Sequence, residues 1–257
     1  MEYLILPLAA VVVSGLTLLT GFGLGTLQLP FFALFFPLDM AVAMTAVVHF
    51  LNNMFKLILL GKHAHRRTIL LFGLPAIVSA LIGAGLLVWM SEFRPLVAYS
   101  LGQRVCEITA IKITIAALMV VFITVEFLPR FKDLAYDPQY LPLGGIISGF
   151  FGGLSGHQGA FRAAFLMRAG LGKKEFIATG IVIACCVDLT RLSVYISHFK
   201  STGINQHPTL LVITTLAAFL GSFLGNLLLK KMTWHTVQWF VSALIVVIAV
   251  ALSIGLV

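Results

Sequence analysis

The sequence predicts an all-α polytopic membrane protein of two inverted homologous halves, each a glycine-broken helix hairpin followed by three transmembrane helices. Three observations carry this reading. Of the 257 residues, 60% are apolar and only 10% charged, with a mean hydropathy of +1.06, and several apolar runs reach about 20 residues, the length that spans a bilayer. Two of those runs are interrupted by glycine clusters, Thr20 to Thr26 and Ser155 to Gly159. The order of segments then repeats, because a shift of 134 residues pairs Ser14 with Ser148, Gly15 with Gly149, Gly25 with Gly159, Phe31 with Phe165 and Thr45 with Thr179. Such duplication with broken helices is the signature of a transporter built from repeats.

The elements follow in order. Tyr3 to Leu38 is too long for one span, so it breaks at Gly21-Phe22-Gly23-Leu24-Gly25 into a helix over about 3–20 and a shorter one over about 25–37. Pro37-Leu38-Asp39 ends it. A helix over 40–60 leads to the most basic connection, Lys62 to Arg67, and a helix over 68–90 follows. Ser91 to Lys112 reads as a mixed interfacial connection before a helix over 111–128. Residues 129–140, with Lys132, Asp133, Asp137 and Pro138, form the linker between a first repeat (1–128) and a second (141–257). The second repeat restarts with Leu141 to Leu154, a break, and a short helix over 158–169. Helices over 175–198, over 208–229 and from Trp234 to the C-terminus complete it. Met1-Glu2-Tyr3 has no basic region of the kind that opens a cleaved signal, so the first segment is expected to be retained.

Charge places the loops. The net charge of +8 comes from Lys and Arg in short connections, a topology signal rather than a nucleic-acid footprint. If each glycine break is a hairpin returning to its own side, the basic loops at Lys62 to Arg67, Arg168 to Lys174 and Lys230-Lys231 all fall on the cytoplasmic side. Both termini are then outside, and the halves are inverted. Two half-helix N-termini would meet near the midplane, each offering unpaired N–H groups and a positive dipole end to an anion.

Polar residues inside apolar helices carry the chemistry, since in lipid they must face protein or a cavity. Thr45, His49, Asn52, Asn53 and Lys56 share one helical face, as do Asp188, Arg191, Tyr195 and His198. Asp188 and Arg191, three residues apart, suit an ion pair; Asp188 could instead change protonation during transport. Arg162 aligns with Gln28 of the first half, and either contacts an anion, orients the break, snorkels, or pairs with Asp188. Lys56 either lines the route or snorkels to the basic loop. His157 and Gln158 stand in the break itself, as anion donors or as partners for the broken helix. Cys106, Cys185 and Cys186 show no ligand spacing and read as packing residues.

GFGLGTLQLP (Gly21 to Pro30), its restart as GGIISGFFGGLSG (Gly144 to Gly156), and the matched Thr45 and Thr179 resemble the sulfite exporter TauE/SafE family of membrane transporters. The resemblance covers nearly the whole chain. It implies export or uptake of small sulfur-containing or organic anions such as sulfite, sulfonates or sulfoacetate. Two features depart from it: Ser155-Gly156-His157-Gln158-Gly159-Ala160 replaces a plainer glycine cluster, and Ala164 stands where the first half has Pro30.

The expected activity is therefore secondary transport, as an exporter, of a small anion by alternating access in a bacterial inner (plasma) membrane. The expected substrate residues are Thr20, Gly25, Thr26, Thr45, Asn53, Ser155, His157, Gln158, Gly159, Arg162 and Thr179, with Asp188, Arg191 and Lys56 for coupling or gating. No cofactor, metal or nucleic-acid partner is expected, and a homodimer is a candidate assembly. A passive channel, a membrane scaffold and, behind them, an integral-membrane enzyme are the alternatives; no Walker loop or catalytic triad order is present.

Overall fold

A computed structural model describes residues 1–20, 24–102, 104–127, 135–199, 206–228 and 234–256. Ten helices dominate these residues: α1 Glu2–Thr20, α2 Leu24–Ala33, α3 Leu38–Leu60, α4 Arg66–Ser91, α5 Ala110–Phe127, α6 Leu141–Ser155, α7 Gly159–Leu166, α8 Lys173–Phe199, α9 Pro208–Leu228 and α10 Trp234–Ser253. Stretches of α3, α4, α8 and α9 are long and apolar enough to cross a membrane, and the chain is a multi-pass helical membrane protein. Residues 21–23 of the first glycine break, linker residues 129–134 and the loop 229–233 lie outside the described residues, as do the side chains of Thr20, Thr26 and His198 and the surroundings of Gly25.

The stretch read as an interfacial connection contains a β-hairpin. Val97–Leu101 (β1) pairs antiparallel with Arg104–Ile108 (β2), Val97 opposite Ile108 and Leu101 opposite Arg104. Gly102 turns the chain at φ 64°, a left-handed conformation that glycine adopts without strain. Two short runs rich in Val, Tyr and Ile around a glycine-led two-residue turn were the available signal.

Glycine spacing explains the closest helix contacts. Gly145, Gly149 and Gly153 lie four apart on α6, forming one ridge against Phe72, Ala76 and Ala80, likewise four apart on α4. A Cβ on any of these glycines would strike a backbone carbonyl of α4, so only glycine permits the approach. The first hairpin repeats the device: a Cβ on Gly221 of α9 would strike the Val11 carbonyl of α1, and one on Gly225 would stand 2.7 Å from the Gly15 oxygen. Ser14 Oγ tightens that contact by donating to the Ala218 carbonyl. The leading arm of each hairpin thus packs on a helix from the other half of the sequence.

Contacts group the loops at two ends. At one end Phe36 lies 5.0 Å from the His207 ring, Tyr99 donates to the Ile254 carbonyl, and a cleft is bordered by Phe36, Asp39, Glu107 and Leu256. At the other, Tyr136 N donates to the Ala164 carbonyl at 3.3 Å, Tyr136 stacks on Phe165 and Arg168 pairs with Asp137 at 3.4 Å. The basic residue Arg67 borders a cleft there with Pro138 and Ala169. The short arm α7 therefore returns to the end from which α6 departs.

Candidate functional site

Helix periodicity brings two polar faces together. On α3, Thr45, His49, Asn52, Asn53 and Lys56 recur at steps of three and four, and all are buried. On α8, Asp188, Arg191 and Tyr195 do the same. The two helices pack face to face, so both stripes escape the lipid by meeting each other.

Asp188 is the hub. Its Oδ1 accepts from Arg191 Nε at 3.0 Å, lies 2.8 Å from Arg191 Nη2, and accepts from Gln158 Nε2 at 3.2 Å. Its Oδ2 lies 2.6 Å from His49 Nδ1 and accepts from Asn53 Nδ2 at 3.4 Å. The contact with His49 requires a proton between the two atoms, because a bare imidazole nitrogen and a carboxylate oxygen are both acceptors. A guanidinium bonded through Nε to one oxygen, with its Nη2 close by as an ion pair, and an imidazole at the other satisfy the carboxylate from both sides, which makes its burial tolerable.

The helix break delivers Gln158 and Arg162 to this hub. The α6 helix ends at Gly156, whose φ of 83° excludes most side chains, and a Cβ there would stand 2.8 Å from Arg191 Nη1. Gln158 follows. Its amide donates to Asp188 and its Oε1 accepts from Arg162 Nη1 at 3.2 Å, so Arg162 reaches Asp188 through Gln158 rather than directly. Ser148 holds the turn by donating to the Gln158 carbonyl at 3.0 Å. No side chain caps α7; the first amide bonded within it is that of Arg162. The N–H groups of Gly159, Ala160 and Phe161 thus open its N-terminus.

Lys56 does not snorkel toward the basic loop. It is 6% exposed, and with the Asn52 amide nitrogen donating to Ser222 Oγ at 2.9 Å and to the Ala218 carbonyl at 3.2 Å, the Asn52 oxygen accepts from Lys56 Nζ at 3.2 Å. The positive charge of Arg162 bears on Lys56 across the same interior. Among the described residues, the buried groups that ordinarily carry a charge at neutral pH are Lys56, Arg162 and Arg191 against the single carboxylate of Asp188. Two positive charges are left without a buried counter-charge.

The structure gathers Asn53, Gln158, Gly159, Arg162, Asp188, Arg191 and Lys56 around one interior region and leaves others elsewhere. Thr179 spends its hydroxyl accepting from the His65 backbone N–H at 2.9 Å, which ties the basic loop to α8. Ser155 donates to the Phe151 carbonyl and lies 2.8 Å from His157 Nδ1. The His157 ring stacks on Phe122 at 4.7 Å, beside Phe151 and Phe161, so it faces an aromatic cluster. Thr45 is buried one turn from His49. His49 itself was missing from the candidate residues. Its place on the polar stripe of an otherwise apolar helix was the signal, since an ionisable group inside a membrane helix is a functional candidate by default.

A model of the family described as Sulfite exporter TauE/SafE matches residues 6–252. No curated relative and no solved structure matches the chain.

Proposed function

The chain belongs to the sulfite exporter TauE/SafE family, a family of membrane sulfur-anion transporters, and from that premise we propose that it is a secondary transporter, working as an exporter, for sulfite or an organosulfonate. The observation that carries the proposal is the excess of two buried positive charges beside an open helix N-terminus. Unpaired cations in a low-dielectric interior are costly, and an anion of one or two charges removes that cost. Arg162 and Lys56 supply the charge, while Gly159 and its neighbours supply N–H groups along the dipole of α7. Asp188 and Arg191 form the gating pair: the bond that Asp188 accepts from Gln158 links the state of the anion at Arg162 to the α3–α8 interface.

The transport cycle follows from two repeats, 1–128 and 141–257, inverted across the membrane. In support, α7 returns to the end that carries Arg67 and Arg168, while Phe36, after α2, lies beside His207 at the other. The leading arm of each hairpin is locked by glycine packing to a helix of the opposite repeat, so hairpin and partner helix would move as a unit and expose the site alternately. The basic end faces the cytoplasm of a bacterial inner membrane by the positive-inside rule, with both termini outside.

Counterflow in proteoliposomes tests this. Labelled sulfite should enter vesicles preloaded with unlabelled sulfite at a rate that saturates with concentration and drops by about a hundred-fold in Arg162→Gln, the loss expected for a charge-assisted contact. Flux that rises linearly, as through a channel, or that is indifferent to Arg162, contradicts the proposal.

A further inference from the structure

Several buried polar side chains outside the charged cluster make no hydrogen bond among the described residues. Gln28, fully buried on α2, has neither its amide nitrogen nor its amide oxygen bonded. Thr45 on α3 and Thr214 and Thr215 on α9 are buried with unbonded hydroxyls, although a helical threonine ordinarily has the carbonyl one turn back within reach.

Their levels along the helices agree. Asn52 of α3 meets Ser222 of α9 at 2.9 Å, and seven residues back along each helix, two turns on the same face, stand Thr45 and Thr215. Phe36 meets His207 at the nearby end, and Gln28 and Thr215 each lie eight residues from that contact, about 12 Å at a rise of about 1.5 Å per residue. Thr45 lies eight residues beyond Pro37 on α3, which packs against both α2 and α9. Three adjoining helices therefore carry unbonded polar groups at one level, on the Phe36–His207 side of Asp188. In the other half the positions aligned with Gln28 and Thr45 are Arg162 and Thr179, and both are engaged, with Gln158 and the His65 backbone.

We propose that Gln28, Thr45 and Thr215 form a second, uncharged ligand station, which takes a small oxyanion that carries its own O–H or N–H donor. The chemistry follows from the groups. The two hydroxyls and the Gln28 amide nitrogen donate to anionic oxygens, whereas the amide oxygen can only accept. A ligand that offers acceptors alone leaves that oxygen buried and unpaired, and a site built this way discriminates against it. Hydrogensulfite and hydroxyalkyl or aminoalkyl sulfonates fit; a plain alkyl sulfonate does not. The station rests on the anion-transport reading for its ligand class and on different residues for its geometry.

The test uses the purified full-length chain in detergent, with 2-hydroxyethanesulfonate and ethanesulfonate as a matched pair and sulfite as a third probe. The wild type should bind the hydroxylated sulfonate tighter than ethanesulfonate by about ten-fold or more, the scale of one buried hydrogen bond. Gln28→Leu should remove the preference and weaken sulfite binding, while its ligand-free melting temperature holds or rises because an unpaired amide is gone. Equal binding of the two sulfonates by the wild type, an unchanged sulfite affinity in Gln28→Leu, or a lowered ligand-free melting temperature overturns the station. Sulfite binding that survives Arg162→Gln but is lost in Gln28→Leu removes the charged site instead and leaves the station standing.

Discussion

The hairpins α1–α2 and α6–α7 are built alike and charged differently. Both press their leading arm on a helix of the opposite half through glycine contacts, Gly145, Gly149 and Gly153 on one side and Gly221 and Gly225 on the other. Yet the short arm of the second carries Arg162, bonded into the Asp188 hub, while the first carries Gln28, bonded to nothing among the described residues. Close backbone packing tolerates almost no variation, because every added carbon meets a carbonyl. Side chains at the break are free to diverge as long as their burial is compensated. The similar glycine packing and the different chemistry of the two breaks are thus two consequences of one packing rule.

The sharpest way to break this comparison is at the hub. Asp188→Leu should cost about 3–5 kcal/mol by stranding the Arg191 guanidinium, whereas Met54→Leu, at the aligned and 37% exposed position of the first half, should stay within about 0.5 kcal/mol. Melting temperatures in detergent decide this, and comparable losses at both positions would remove the asymmetry. Next come the shared glycines. Gly153→Val and Gly221→Val should each destabilise by about 3 kcal/mol, the upper range for overpacking, since both collide with backbone rather than with a flexible side chain. A loss confined to one of them would show that the scaffold is not duplicated in energy. The smallest contrast is at the aligned threonines. Thr179→Val should lose about 1 kcal/mol with the bond from His65, while Thr45→Val should leave stability unchanged or raise it, as its hydroxyl bonds nothing among the described residues.

Much of the scaffold was legible in the sequence because period and composition dictate it. The polar stripes on α3 and α8 had nowhere to go but toward each other, and the break at Ser155 to Gly159 ended α6 where Gly156 takes its left-handed turn. What sequence could not supply was pairing across the chain. Lys56 had an equally good account as a snorkelling residue until Asn52, fixed by Ser222 and Ala218, appeared as its acceptor. Arg162 could have bonded Asp188 directly; the intervening Gln158 depends on the turn geometry of the break. His157 and Ser155, polar residues in the break, turned toward Phe122 and the Phe151 carbonyl, a choice made by neighbours distant in sequence. The hairpin of β1 and β2 was overlooked because its alternation is short and its exterior strands bury little.

The central claim is that the buried excess of positive charge awaits an anion, and one titration tests it most directly. Sulfite added to the purified protein should raise the melting temperature of the wild type with concentration, as any ligand selective for the folded state does. The rise should shrink in Lys56→Gln and shrink furthest in Arg162→Gln, down to what the uncharged station alone supplies, with the ligand-free melting temperature of Arg162→Gln at or above that of the wild type because a buried cation has been neutralised. A sulfite response of undiminished size in Arg162→Gln, or a ligand-free protein that loses stability when either charge is removed, would contradict the account.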